Sequence, residues 1–233
     1  MATSAVNGVR FQAASDQSLL VYFDEPITLQ AHERVVSLLR LLVRRPIEGV
    51  RNVHPAYCSV LLKFDALRWT HAELEAVLLE YLGRFENGGL GEPREVEIPV
   101  CYGGDFGPDL IDVCAIHGLS LARAIELHSS VTYRVYFLGF VPGFAYLGEL
   151  PAELVTPRLA TPRRSVPPRS VGIAENQTAV YPFATPGGWR LIGRTPMAMF
   201  RPEEGSSVLS IGDRVRFAAI SPERFAKLEP AWR

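Results

Sequence analysis

No helix can run through the stretch from Tyr133 to Phe200, and that limit decides what this chain can fold into. Ten of the chain's 18 prolines lie between Pro142 and Pro202, set among the turns Gly139-Phe-Val-Pro-Gly143 and Pro186-Gly-Gly188. Proline locks φ and lacks a backbone donor, so the apolar runs between prolines are confined to brief strands or ordered loops. Disorder is excluded by the aromatic residues Tyr133, Tyr136, Phe137, Phe140, Phe144, Tyr146, Tyr181, Phe183, Trp189 and Phe200, because disordered segments are poor in such side chains. The stretch is therefore a folded, loop-rich β unit. Its acids are Glu149, Glu153 and Glu175, set against Arg158, Arg163, Arg164, Arg169, Arg190 and Arg194. Guanidiniums in such excess either lie on the surface as solvated charges or turn toward an anionic ligand or an acidic partner.

Ahead of this stretch the periodicity changes. Leu19 to Phe23 is an unbroken apolar run that suits a first buried strand, ended by Asp24-Glu25-Pro26. Ala31, Val35, Leu38, Leu39 and Leu42 recur at helical spacing behind Thr28 as a cap, and Gly49–His54 and Cys58–Phe64 make an antiparallel pair. Thr70-His-Ala-Glu73 is a capping box before a second helical stripe, which ends by Asn87-Gly88-Gly89. Val96, Ile98 and Val100 then alternate with acids as a strand that closes a β-α-β-β-α-β unit. The expectation is α+β: a ferredoxin-like sandwich over residues 9–100, followed by a β-barrel over residues 101–225. Two short helices, from Asp109 to His117 and from Ser120 to about His128, would open the second domain. Short strands at Ser170–Ala174, Ala179–Phe183, Trp189–Ile192, Met197–Phe200 and Arg214–Ile220 would close the barrel.

Composition removes several function classes. Net charge is −1 with 21% charged residues, so the polycationic footprint of a nucleic-acid binder is missing. No apolar run approaches the roughly 18 residues of a membrane span, and MATSAVNG has no basic region followed by an apolar core, so a cytoplasmic location is expected. Cys58, Cys101 and Cys114 form no C-x-x-C pair and read as buried thiols in a reducing compartment. Gly103-Gly104 fits neither phosphate-binding glycine motif, and Lys63 and Lys227 stand in no phosphate-loop context. A nucleophile elbow, H-E-x-x-H, a zinc pattern and a calcium loop are likewise missing, and no metal is expected. His128, at a helix end just before the constrained stretch, is the one candidate acid-base residue, with a histidine favoured only by the helix C-terminal dipole as the alternative. Gln177 and Thr178 are candidate ligand contacts or satisfied turn residues, and Trp189 after Gly187-Gly188 is a pocket wall or a core side chain.

Specific motifs then stand out. Pro99-Val-Cys-Tyr-Gly-Gly, Phe106-Gly-Pro-Asp109, Tyr133-Arg-Val-Tyr-Phe-Leu-Gly-Phe140, Pro142-Gly-Phe144, Pro157-Arg158, Pro162-Arg163, Gln177-Thr178, Tyr181-Pro182, Pro186-Gly-Gly-Trp189, Ile192-Gly-Arg-Thr-Pro196 and Gly212-Asp213 resemble the family of the kinase inhibitor KipI and of PxpB, a component of bacterial 5-oxoprolinase. That family is also labelled allophanate hydrolase small subunit, or carboxyltransferase subdomains C and D. The resemblance runs from Leu20 to about Ile220 and implies a cyclophilin-like form for the barrel. It also implies a PxpC-like large partner subunit, a PxpA-like subunit, 5-oxoproline as substrate with glutamate as product, and ATP used by the complex rather than bound by this chain. It leaves two other readings open, an inhibitor docking on a sensor histidine kinase and a small subunit of a urea carboxylase or allophanate hydrolase. Arg158, Arg163, Gln177, Gly187, Gly188, Trp189 and Arg194 are the expected substrate contacts, and Phe140, Pro142, Gly143, Phe144 and Tyr146 the expected partner contacts. Two positions depart from the family pattern, Arg169 in place of glycine and Ala179 in place of the glycine after Gln177-Thr178. A glycine position often needs φ > 0, so Arg169 bears on the shape of its loop.

Overall fold

Alternation of Val9, Phe11 and Ala13 with Arg10 and Gln12 makes a strand that the turn Asp16-Gln17 folds back on the Leu19 run. In the computed structural model, which describes residues 5–6, 8–23, 28–83 and 93–232, β1 (Ala5–Val6), β2 (Val9–Ser15) and β3 (Ser18–Phe23) are such neighbours. The expected turns at Asp24–Pro26 and Asn87–Gly89 lie outside the described residues. Helix α1 (Leu29–Arg44) begins where Thr28 Oγ1 accepts the Ala31 N–H at 3.0 Å, as its sequence position required. β4 (Val50–Pro55) and β5 (Ser59–Phe64) follow, then α2 (His71–Gly83). The capping box forms reciprocally, with the Thr70 N–H on Glu73 Oε2 at 2.9 Å and the Glu73 N–H on Thr70 Oγ1 at 3.3 Å. The sheet is antiparallel in the order β1-β2-β3-β5-β4. Ala31, Val35, Leu38 and Leu42 of α1 and Leu74 and Leu78 of α2 share one core with Phe11, Leu19, Val21, Leu62 and Phe64.

The strand expected to close this unit belongs elsewhere. β6 (Glu95–Tyr102) pairs in parallel with β16 (Arg214–Ala219), from Glu95 opposite Arg214 to Val100 opposite Ala219. The chain accordingly divides at Met1–Glu92 and Pro93–Arg233 rather than after residue 100. The place beside β3 is filled from the N-terminal side by β2. Period-two alternation says that a strand has one buried face but not which sheet buries it.

Between β6 and β16 lie α3 (Leu110–His117), α4 (Leu121–Ser129), β7 (Thr132–Leu138), β8 (Ala145–Gly148), β9 (Arg163–Val166), β10 (Ser170–Ala174), β11 (Gln177–Val180), β12 (Thr185–Gly187), β13 (Arg190–Arg194), β14 (Phe200–Arg201) and β15 (Ser206–Ser207), and α5 (Pro222–Leu228) follows. Seven strands close a barrel in the order β10-β11-β8-β7-β16-β6-β13. Gly118, left-handed at φ 64°, ends α3, and Ser120 Oγ accepts the Arg123 N–H to start α4. Val135, Leu147, Val171, Ile173, Val180, Ile192 and Phe217 pack together with Leu110, Val113 and Leu127 of the two helices. The expected strand at Met197–Phe200 is irregular, bent backbone instead: Met197 and Met199 are buried in this core, and pairing begins only at Phe200. β9 and β12 form a separate two-stranded ribbon.

A candidate oxyanion site on the outer face of the barrel

While Val171, Ile173 and Val180 face the barrel core, the intervening positions are Gly172, Ala174 and Ala179. These small residues make a shallow bed on which large rings rest. Tyr181, Trp189 and Phe144 form a second buried cluster there with Val166 and Leu191, and Tyr146 packs at its margin. A Cβ on Gly172 would approach Trp189 at 3.2 Å and Tyr181 at 3.3 Å. Phe144 stands edge-on to Tyr181 at 5.2 Å and to Trp189 at 5.6 Å between ring centroids, contacts that add about 0.5–1.5 kcal/mol each beyond burial.

The ribbon brings a charge to this cluster. Thr185 pairs with Val166, and Gly187 with Arg163, so β9 carries one residue more than β12. Such an irregularity re-aims a side chain, and Arg163 Nη2 donates to Asp109 Oδ1 at 2.6 Å. Asp109, 5% exposed, caps no helix N–H; its Oδ2 accepts the Leu191 N–H at 2.6 Å instead. Arg163 Nη1 and Thr185 Oγ1 are also buried and have no hydrogen-bond partner among the described residues. A buried unsatisfied donor costs about 1–3 kcal/mol, more when charged, so both atoms call for an acceptor, and a carboxylate or other oxyanion supplies one. Burial raises the Tyr181 pKa to about 12, against a backbone hydrogen bond from Trp189 and the charges of Arg158 and Arg163, which favour the ionised hydroxyl. Tyr181 is thus a hydrogen-bonding group and not a base at neutral pH. Burial likewise raises the Tyr146 pKa, with Arg158 opposing it. A Cβ at Gly187 would stand 2.5 Å from the Tyr181 hydroxyl, which is why the backbone there is glycine.

Arg158, Arg163, Gly187 and Trp189 of the expected substrate contacts therefore gather around one cluster, with Gly188 beside Pro162. Gln177 is half-buried on β11, opposite Ala174 and Gly148. Arg194 lies at the far end of β13 from Leu191, with its Nε on the Pro168 carbonyl and Arg169 as its charged neighbour. Asp109 and Tyr181 were not anticipated as site residues. The sequence offered only the Phe106-Gly-Pro-Asp109 motif ahead of a helix, where a capping role is the ordinary reading.

His128 is not placed to transfer a proton near neutral pH. It is fully buried against Phe217 and Tyr133. The Tyr102 hydroxyl lies 2.7 Å from Nδ1, Nε2 lies 2.9 Å from Thr178 Oγ1, and Thr178 donates to the Gly172 carbonyl at 3.1 Å. Since the Thr178 proton is committed, Nε2–H donates to Thr178, and Nδ1 accepts from Tyr102. Burial pushes the His128 pKa down to about 3, so the ring stays neutral and joins helix α4 to β6 and β11. Its position at a helix end did not reveal that the ring turns inward.

The expected partner contacts also divide. Phe144 and Gly143 are buried, Tyr146 is half-buried, and Pro142 and Phe140 are exposed, Phe140 by 60%. Phe144 cannot meet a partner while it lies in the aromatic cluster. Phe140 sits at φ 67°, a backbone region that costs a non-glycine residue about 1–3 kcal/mol. Among the described residues no group of three His, Cys, Asp or Glu side chains is placed to hold a metal ion, and no helix is long and apolar enough to cross a membrane.

Residues 9–210 match the model of the carboxyltransferase domain, subdomain C and D. The chain is 39% identical over 230 residues to the B subunit of 5-oxoprolinase from Bacillus subtilis, covering 93% of this chain and 96% of that protein. It is 44% identical over 211 residues to the protein of the same name from Escherichia coli O157:H7, covering 87% of this chain and 92% of that protein. The crystal structure of the Kluyveromyces lactis urea carboxylase shares the fold, with a TM-score of 0.76 at 17% identity over 95% of this chain and 22% of that much longer one.

Proposed function

This chain belongs to the family of carboxyltransferase subdomains C and D, and from that premise we propose that it is the PxpB component of an ATP-dependent 5-oxoprolinase that opens 5-oxoproline to glutamate. The observation that carries the reading is the end-to-end match to the 5-oxoprolinase component of Bacillus subtilis, at 39% identity over 96% of that protein. PxpC-like and PxpA-like subunits complete the active site, and the ATP site lies on them. The missing phosphate loop supports that division of labour.

In this reading the chain binds and orients. The substrate carboxylate takes the free edge of Arg163 and the Thr185 hydroxyl, with Arg158 adding charge, and this answers the two unsatisfied donors. The five-membered ring rests against Trp189 and Tyr146, and the neutral Tyr181 hydroxyl, with its pKa near 12, offers a hydrogen bond without competing for a proton. Phe140 is the contact offered to the partner. A complex assembled from this chain and its two partners should release glutamate from 5-oxoproline when ATP is present and leave urea untouched. Consumption of urea with no glutamate from 5-oxoproline would replace this substrate assignment by the amide-processing one.

A further inference from the structure

At the far end of β13 two loops clasp each other through their arginines. Arg169 Nη1 donates to the Pro196 carbonyl at 3.1 Å, and Arg194 Nε donates to the Pro168 carbonyl at 3.1 Å. The Thr195 N–H closes the clasp on the Arg169 carbonyl at 3.0 Å. Each guanidinium is tied along one edge to the chain segment that carries the other, so two cations are held side by side although they repel. Arg169 adopts φ 68° to do this, a left-handed backbone that glycine would reach without strain.

One carboxylate faces the pair. Glu229, just beyond α5, meets Arg169 Nη2 at 2.6 Å, with the arginine side chain 15% and the glutamate side chain 26% exposed. Among the described residues no carboxylate pairs with Arg194. Among the described residues, two half-buried guanidiniums thus face the one Glu229 carboxylate, which pairs directly with Arg169 and acts on Arg194 only from a distance. Burial first, and Arg169 next, hold the Arg194 pKa below the ordinary arginine value.

We propose that Arg169 and Arg194 form a binding site for a small dianionic oxyanion of the phosphate class, which enters as the Glu229 carboxylate gives way. A dianion neutralises both cations, which a single glutamate cannot do, and planar guanidiniums held in place present paired donors to tetrahedral oxygens. The Glu229 carboxylate acts as an internal competitor that fills the site when no dianion is present. This site is separate from the Arg163 cluster, since the five residues of β13 put its ends roughly 13 Å apart, and it stands whether or not the chain acts on 5-oxoproline.

The test is calorimetric titration of the full-length chain with inorganic phosphate in a phosphate-free buffer, repeated for Glu229→Gln, Arg194→Gln and Arg194→Lys. Removing the competitor in Glu229→Gln should tighten phosphate binding at least tenfold over the native chain. Arg194→Gln should abolish binding, and if that variant does not fold, Arg194→Lys, which keeps the charge without the fork, should weaken binding at least threefold. Arg201→Gln, an exposed residue paired with Glu204, should bind as the native chain does. Phosphate binding that Glu229→Gln leaves unchanged, or that survives Arg194→Gln, would overturn the assignment.

Discussion

Lowering the pH from 7.5 to 5 should cost the folded chain about 2 kcal/mol through His128 alone. In the fold this ring is sealed and neutral, with its pKa depressed to about 3 by burial, whereas the unfolded chain restores the ordinary 6.5. The unfolded state therefore binds the extra proton first, and stability is fully present above 6.5 and lost progressively as pH falls from there toward 3. With those two values the unfolded state gains RT ln of about 30 at pH 5, or about 2 kcal/mol, and almost nothing at pH 7.5. The comparison is urea unfolding of the native chain and of His128→Gln at both pH values, which cancels the other titrating groups. A glutamine there cannot ionise, so the variant should begin less stable, having lost the Tyr102 and Thr178 hydrogen bonds, and should lose about 2 kcal/mol less on acidification. Equal losses in the two proteins, or an imidazole that titrates near 6.5 by NMR in the folded chain, would refute the buried neutral tautomer.

Phe140→Ala should leave the unfolding midpoint unchanged and weaken association with the large PxpC-like partner, with a loss of about 2 kcal/mol, measured by titration calorimetry. Phe144→Ala should do the reverse and cost about 3–5 kcal/mol of stability, read by urea unfolding. Arg163→Lys keeps the charge facing Asp109 but not the fork, and should lower kcat/KM of the assembled enzyme tenfold or more, at least ~1.4 kcal/mol, with assembly intact; normal kinetics would remove the anion site. Gly187→Ala drives a methyl into the Tyr181 hydroxyl and should destabilise the chain by about 1–3 kcal/mol. Tyr181→Phe in that background should restore part of the loss, and no recovery would show that the clash lies elsewhere.

Much of the local structure was legible because it is decided locally. Thr28, Thr70 with Glu73, Gly118 and Ser120 are caps whose chemistry acts within a few residues, and each forms as its sequence position demands. The spacing of prolines and aromatics was enough to expect many short strands and a closed barrel. What escaped depends on partners far away in the chain. β6 lies 119 positions before its parallel partner β16, as Glu95 opposite Arg214 shows, and its alternation fits either unit equally well. His128 and Phe144 carry residue types that suit a surface site, and only the packing of Phe217 and Tyr133 on one and of Tyr181 and Trp189 on the other seals them in. Asp109 shows the opposite error, a residue read as the mere start of a helix whose carboxylate reaches Arg163 and Leu191, 54 and 82 positions on. Arg169, whose side chain cast doubt on its loop, keeps the left-handed backbone and anchors itself on Pro196 and Glu229.

The most direct test of the account is reconstitution by omission, in which ATP-dependent glutamate release from 5-oxoproline is measured with this chain and its two partner subunits together, and again with each one left out in turn. Activity should appear only in the complete mixture, and this chain alone should neither hydrolyse ATP nor form glutamate. Robust turnover by this chain alone, or full turnover by the two partners without it, would contradict its role as a component that completes a shared active site.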